Sequence, residues 1–212
     1  ATDFVLSRPN DQIGLVVFAG ESFTQCPLTT DHAVLVNLFQ SVKFGMIEDG
    51  TAIGNGLATA INRLRESEAK SKVVILLTDG VNNRGEIAPL MAADIAADMG
   101  IKVYTIGVGR RGTAPTPVMD PFGNVGLAMV NVEIDEELLR EISSMTGAKY
   151  FRAENAEALT KIYDEIDKME KSKVLVTNIE TYDELFLDWV LYALLLLVVE
   201  FLLRTVILNR LP

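Results

Sequence analysis

Val73-Val74-Ile75-Leu76-Leu77-Thr78-Asp79-Gly80 is the stretch on which the fold class turns. Five consecutive apolar residues make a run of strand length, read as a strand buried in the protein interior and closed by a Thr-Asp-Gly turn. Upstream, Ala52 to Arg65 has the spacing of a helix, with Ile53, Leu57, Ala60, Ile61 and Leu64 on its inward face. Downstream, a helix begins near Pro89, reaches about Met99 and stops at Gly100, and Ile101–Ile106 forms the next strand.

The same alternation extends to both ends. Thr2 to Ser7 has the pattern of a helix tail, stopped by Arg8-Pro9-Asn10, and Ile13-Gly14-Leu15-Val16-Val17-Phe18 is a second buried strand. Ser22 to Pro27 reads as a short edge strand. Thr30 is placed to cap a helix from Asp31 to Val42, with Val34, Leu35, Leu38 and Phe39 on one face. Helices at Asp135–Met145 and Ala156–Met169 flank a short strand at Tyr150-Phe151. Strands alternating with helices of ten or more residues predict an α/β domain with a mainly parallel sheet. Right-handed crossovers bring the loops after Phe18, Leu77 and Ile106 to one edge, where such folds bind ligands. Gly107 to Glu133, with three prolines and the turn Asp120-Pro121-Phe122-Gly123, is too long for an ordinary connection. It reads as a hairpin-like flap on the ligand edge, or as a surface insertion without a ligand.

The 212 residues carry 19 Lys and Arg against 29 Asp and Glu, a net charge of -10, which disfavours nucleic acid as a partner. The single cysteine, Cys26, excludes an internal disulfide framework. No signal peptide is visible at Ala1, so export would need a signal upstream.

Two residues on the expected ligand edge have metal-binding chemistry. Asp79 follows the buried run, and Thr51 stands in Glu48-Asp49-Gly50-Thr51-Ala52 at a helix start. A carboxylate and a hydroxyl are hard oxygen donors, suited to Mg²⁺, Mn²⁺ or Ca²⁺ rather than zinc. The plainer readings are that Thr78-Asp79-Gly80 is only a turn and Thr51 only a helix cap.

Rival sites are weaker. Gly54-Asn55-Gly56-Leu57-Ala58-Thr59 superficially matches a dinucleotide glycine loop, but no strand leads directly into it, and small residues permitting helix-to-sheet contact explain it better. His32 and Cys26 have no catalytic constellation beside them, and Asp135-Glu136-Glu137 opens a helix, where acidic residues favour the dipole.

Past Met169 the chain changes character. Phe186 to Leu208 holds only Asp188, Glu200 and Arg204 as charges, around the run Trp189–Val199. At about 1.5 Å per residue this length matches a hydrocarbon core of about 30 Å. Residues 171–184 are expected to be a linker, and 185–208 a transmembrane helix with Trp189 and Tyr192 at one interface. Glu200 and Arg204, one turn apart, can pair. Arg204 and Arg210 would face the cytoplasm, leaving the domain of residues 1–170 in the periplasm.

Taken together, Ile13–Phe18, Gly50–Gly54, Val74–Gly80, Asp79–Asn83, Tyr104–Gly109, Asp120–Gly123, Glu133–Leu139 and the apolar tail resemble the von Willebrand factor A (vWA) fold. More narrowly, they resemble the membrane-anchored Bat aerotolerance proteins of bacteria. The resemblance implies a Rossmann-like vWA sheet bearing a metal-ion-dependent adhesion site (MIDAS). The family's second loop supplies a threonine, matched by Thr51, and its third an aspartate, matched by Asp79. Its first loop, Asp-x-Ser-x-Ser, has no counterpart here. The chain is therefore expected to lack the family's first metal loop and central strand, so that the strands at Ile13 and Val73 each lose a neighbour. The alternatives are that these two edges pair directly, or that another copy fills the gap.

The resemblance further implies a non-enzymatic inner-membrane protein that, when intact, binds protein ligands through Mg²⁺ (or Mn²⁺ or Ca²⁺), with an acidic group of the ligand completing the coordination; without the first loop, this chain is expected to carry only part of that site. Its implied partners are other Bat-type proteins and a MoxR-type AAA+ ATPase, in oxidative-stress tolerance. Two other classes stand beside it: a Rossmann-like nucleotide-binding enzyme using the glycines near Gly54, and a metal-free structural subunit of a membrane complex.

Overall fold

The computed structural model describes residues 1–43, 45–109, 112–119, 125–132, 134–174 and 186–202. In chain order the elements are α1 (Thr2–Leu6), β1 (Ile13–Phe18), β2 (Ser22–Thr29), α2 (His32–Gln40), α3 (Ile53–Arg65), β3 (Lys72–Thr78) and α4 (Pro89–Asp98). They continue as β4 (Ile101–Val108), β5 (Gly112–Met119), β6 (Val125–Val132), α5 (Glu136–Met145), β7 (Tyr150–Ala153), α6 (Ala156–Val174) and α7 (Phe186–Leu202). The chain divides into two compact units, Ala1–Met169 and Glu170–Pro212.

In the first unit, β3, β4 and β7 form a parallel sheet with β4 in the middle. Alternate residues of β3 serve opposite faces, which is why its sequence is apolar throughout. Val74 and Leu76 join Ile53, Leu57 and Ile61 of α3, Ala92, Ala93 and Ala96 of α4, and Leu139 and Ile142 of α5. Val73 and Ile75 face the other way, toward a cluster of Tyr104, Ile106, Ala153, Ile162 and Ile166. Each such Val, Leu or Ile side chain, once buried, is worth about 1.5–3 kcal/mol. Gly100, at φ +65°, adopts the left-handed conformation that ends α4 and lets the chain turn into β4.

The strands at Ile13 and Lys72 fall in separate sheets, each without the neighbour that the missing central strand would supply. Among the described residues β1 pairs only with β2, antiparallel, and β3 only with β4, so the two edges do not pair directly. Helices span the division: Phe18 of β1 packs with the α3, α4 and β3 cluster, and α1 meets α6 through Phe4 and Tyr163, whose ring centroids are 5.0 Å apart. Residues 112–119 and 125–132 are an antiparallel hairpin, as the flap reading anticipates; its Asp120–Gly123 turn lies outside the described residues.

Several local expectations need correcting. The cap of α2 is Asp31, not Thr30: the Asp31 carboxylate accepts the Val34 N–H at 3.1 Å. Of the face assigned to that helix, Leu35 is buried and Leu38 packs beside it against Val5 and Cys26, but Val34 and Phe39 are exposed, and Val36 joins the cluster in their place. The helix begun at Ala156 runs past Met169 to Val174, through Glu170 and Lys171, which are good helix formers.

In the second unit α7 has 17 residues. Every side chain from Trp189 to Leu197 is apolar and exposed. Among the described residues no helix is long and apolar enough to cross a membrane. Residues 203–208 of the expected span, with Arg204 and Arg210, lie outside the described residues.

Candidate functional site

The loops after β1 and β3 meet at the start of α3. The Ala52 N–H donates to the Ala19 carbonyl at 2.7 Å and the Gly20 N–H to the Glu48 carbonyl at 2.9 Å, tying the first loop to residues 48–52. β3 and β4 are parallel, so the loop after β4 leaves from the same edge. This is the edge predicted from the crossover rule, and both Thr51 and Asp79 lie on it.

Thr51 sits between loops rather than on the helix. Its N–H donates to Asn83 Oδ1 at 2.9 Å, and its carbonyl accepts the N–H groups of Asn83 and Arg84 at 3.0 and 3.3 Å. Asn82 Oδ1 accepts the Ile53 N–H at 2.8 Å, serving α3 where its own N-cap residue, Ala52, has no side-chain oxygen. At the far end of the loop, Asn55 Oδ1 accepts the Ile87 N–H at 3.0 Å. Three asparagine side chains thus stitch residues 82–87 to the start of α3. The plain reading of Thr51 as a helix cap fails, because Asn82 from another loop does that work.

The Thr51 hydroxyl rests against Gly80: a Cβ on that glycine would stand 2.7 Å from Thr51 Oγ1. Only a residue without a side chain leaves room for the oxygen there. Thr78 Oγ1 accepts the Gly80 N–H at 3.3 Å and shapes the turn. Asp79 beside it is solvent-exposed. The two adjoining loops thus carry one hydroxyl and one exposed carboxylate, which could supply at most two of the six oxygens that Mg²⁺ prefers. Among the described residues no group of three or more His, Cys, Asp or Glu side chains is arranged to hold a metal ion.

The other sequence candidates have structural work. Gly54 and Gly56 let α3 approach its neighbours, the first against the Ile87 carbonyl and the second against the Phe18 ring. His32 Nε2 lies 2.9 Å from the Asp11 carbonyl, joining α2 to the segment before β1. Cys26 is buried; burial, and secondarily Asp31, push its thiol above the ordinary range, the reverse of an activated nucleophile. Asp135 caps α5 by accepting the Leu138 N–H at 3.0 Å, while Glu136 pairs with Arg152. Arg152 also donates to the Gly109 carbonyl at 3.0 Å, holding the end of β4 to β7. Sequence reasoning missed the roles of Asn55, Asn82 and Asn83. The Asn82-Asn83 pair directly after Asp-Gly is a local signal, but its partners lie about 30 residues away in sequence.

A sheet edge carrying a threonine on one loop and Thr-Asp-Gly on another defines a class, and the family comparison agrees: residues 1–165 match the von Willebrand factor type A domain, and the chain belongs to that family. Among solved structures it is similar to BatB of Bacteroides thetaiotaomicron, at 34% identity and TM-score 0.66, over 80% of this chain and 84% of that one. An aerotolerance-related membrane protein of Bacteroides fragilis is similar at 30% identity and TM-score 0.65, over 79% and 84% of the two chains. Proximal thread matrix protein 1 of the mussel byssus, solved with a zinc-occupied MIDAS motif, matches at 26% identity and TM-score 0.60, over 80% of this chain and 38% of that one. Curated relatives include an uncharacterised protein of Borreliella burgdorferi, 28% identical over 98% of this chain and 61% of its own length. A UPF0353 protein of Nocardia farcinica is 28% identical over 74% of this chain and 50% of its own length. The chain thus spans half to three fifths of the curated relatives it matches.

Proposed function

We propose that this chain is a membrane-tethered vWA interaction module, in which Thr51 and Asp79 hold a divalent cation whose coordination an acidic group of a protein ligand completes. The reading rests chiefly on one observation, the Thr51 hydroxyl lodged against Gly80 next to an exposed Asp79. Thr51 and Asp79 would hold the cation, which would supply the positive charge that attracts an acidic group of the ligand. This chain's own part is to present those oxygens on a rigid edge. The zinc-occupied MIDAS of the mussel relative supports a divalent ion in this fold; Mg²⁺ or Mn²⁺ suits a hydroxyl and carboxylate better. The aerotolerance-related relative supports a role in oxidative-stress tolerance. Other Bat-type proteins and a MoxR-type AAA+ ATPase are the partners that the sequence resemblance implies.

The domain would comprise residues 1–170, joined through 171–184 to a membrane helix at 185–208. Exposed apolar side chains all along Trp189–Leu197 support the tether, since lipid covers such a surface without cost. The domain is assigned to the periplasm. Carbonate washing of membranes should leave the chain in the pellet, and protease should reach the domain in spheroplasts; protection until the membrane is breached would reverse the orientation.

Titration with Mn²⁺ and capture of purified Bat-type partners test the site together. Asp79→Ala should abolish both. Unchanged capture by that variant would favour the metal-free structural subunit. The nucleotide-enzyme reading loses its support from Gly54 and Gly56, both of which are occupied by packing.

A further inference from the structure

We infer that Asn83 is a positioning residue for the metal-binding hydroxyl of Thr51, an inference that rests on the reading of Thr51 and Asp79 as metal ligands. Thr51 lies near the end of the connection between Gln40, the last residue of α2, and Ile53, the first of α3. Connections of this length sample many conformations unless something holds them. Asn83 does so from both sides of a single residue: its Oδ1 takes the Thr51 N–H at 2.9 Å, and its own N–H donates to the Thr51 carbonyl at 3.0 Å. With both peptide groups of Thr51 engaged, its Cα–Cβ bond is aimed and the hydroxyl is kept against Gly80.

The same loop that presents Asp79 therefore sets the place of the other ligand. Asp79 and Asn83 are four residues apart in the same loop, so the segment that carries one oxygen donor also grips the residue that carries the other. Asn82 reinforces this by holding the next N–H along, that of Ile53. Such preorganisation lowers the ordering cost of cation binding, and loss of an outer partner of this kind typically weakens metal affinity about 10- to 100-fold.

The test compares the full chain with Asn83→Ala, Asn83→Asp, Thr51→Ala and the double variant T51A/N83A. It reads Mn²⁺ affinity by titration, thermal unfolding without metal, and hydrogen exchange of the Thr51 amide. N83A should bind Mn²⁺ about 10- to 100-fold more weakly and exchange the Thr51 amide at least about tenfold faster. N83D, which keeps the acceptor oxygen, should bind at least as tightly as the unmodified chain. T51A/N83A should bind no more weakly than T51A alone, because positioning counts only while the hydroxyl is present. Should N83A fail to fold, Asn83→Ser, too short to reach the Thr51 N–H, is read in its place with the same expectation. Undiminished Mn²⁺ binding by N83A would overturn the positioning role and leave the metal reading standing. Absence of Mn²⁺ binding by the unmodified chain would overturn both.

Discussion

Gly54 and Ile87 are in backbone contact so close that a Cβ at Gly54 would stand 1.9 Å from the Ile87 carbonyl oxygen. Backbone on one side and a helix on the other leave neither partner free to give. Gly54→Ala should therefore lose about 2–4 kcal/mol despite the better helix propensity of alanine, measured by urea unfolding. Gly56→Ala meets Phe18 Cγ at 2.8 Å and Cβ at 3.1 Å, atoms that turning the ring does not move, and should cost about 1–2 kcal/mol, less than at Gly54 because a side chain can shift where backbone cannot. Equal costs at the two sites would contradict this account of how α3 docks.

Arg8 Nη2 lies 2.7 Å from Asp167 Oδ1, a charge contact that ties the segment before β1 to α6. Arg8 also pairs with Asp11 at 2.7 Å and lies over the Phe4 ring. The Arg8 side chain is 14% exposed and that of Asp167 21%, so water screens the pair only in part. Asp167→Ala should destabilise by about 1–3 kcal/mol, less than for a fully buried pair because Asp11 remains. A double-mutant cycle with Arg8→Ala should show positive coupling; additive losses would mean that the pair contributes nothing.

At the start of α2, the serviceable oxygen belongs to Asp31. Asp31→Ala should cost about 1 kcal/mol, while Thr30→Ala should stay within about 0.5 kcal/mol. Thermal unfolding of both variants decides between the two caps.

Burial raises the Cys26 thiol and the Tyr163 phenol above their ordinary ranges. For such groups the neutral form is favoured by folding, so their stability contribution is complete below the unfolded pKa and is lost as pH rises through the folded one. Ordinary values are about 8.5 for cysteine and 10 for tyrosine, so urea midpoints should hold steady to about pH 8 and then fall. Cys26→Ala should flatten the first part of that fall. Iodoacetamide at pH 8 should label Cys26 only after unfolding; rapid labelling of the native chain would contradict its burial.

Much of this was legible in the sequence because it is local. A run such as Val73–Leu77 announces a strand covered on both faces, α3 shows its inward side through Ile53, Leu57 and Ile61, and the paired strands at 112–119 and 125–132 announce themselves by length and turn residues. Thr51 and Asp79 stand out by their chemistry and by their place after periodic elements. Capping is less legible, since Thr30 and Asp31 are equally plausible until the Val34 N–H chooses between them. The exposed side of α2 was misjudged because helical periodicity defines a stripe, whereas which part of it is covered depends on where β1 and β2 lie.

By itself, then, the sequence determined the α/β alternation, the edge where ligands would bind and the two oxygen donors on it, because periodicity and residue chemistry act within a few residues. Only the tertiary structure decided that β1 and β3 do not pair with each other among the described residues, that Gly54 is reserved for packing, and that Asn83 grips Thr51. Those outcomes depend on hydrogen bonds and contacts between segments some 30 residues apart, and no local pattern records which distant partner a side chain will meet.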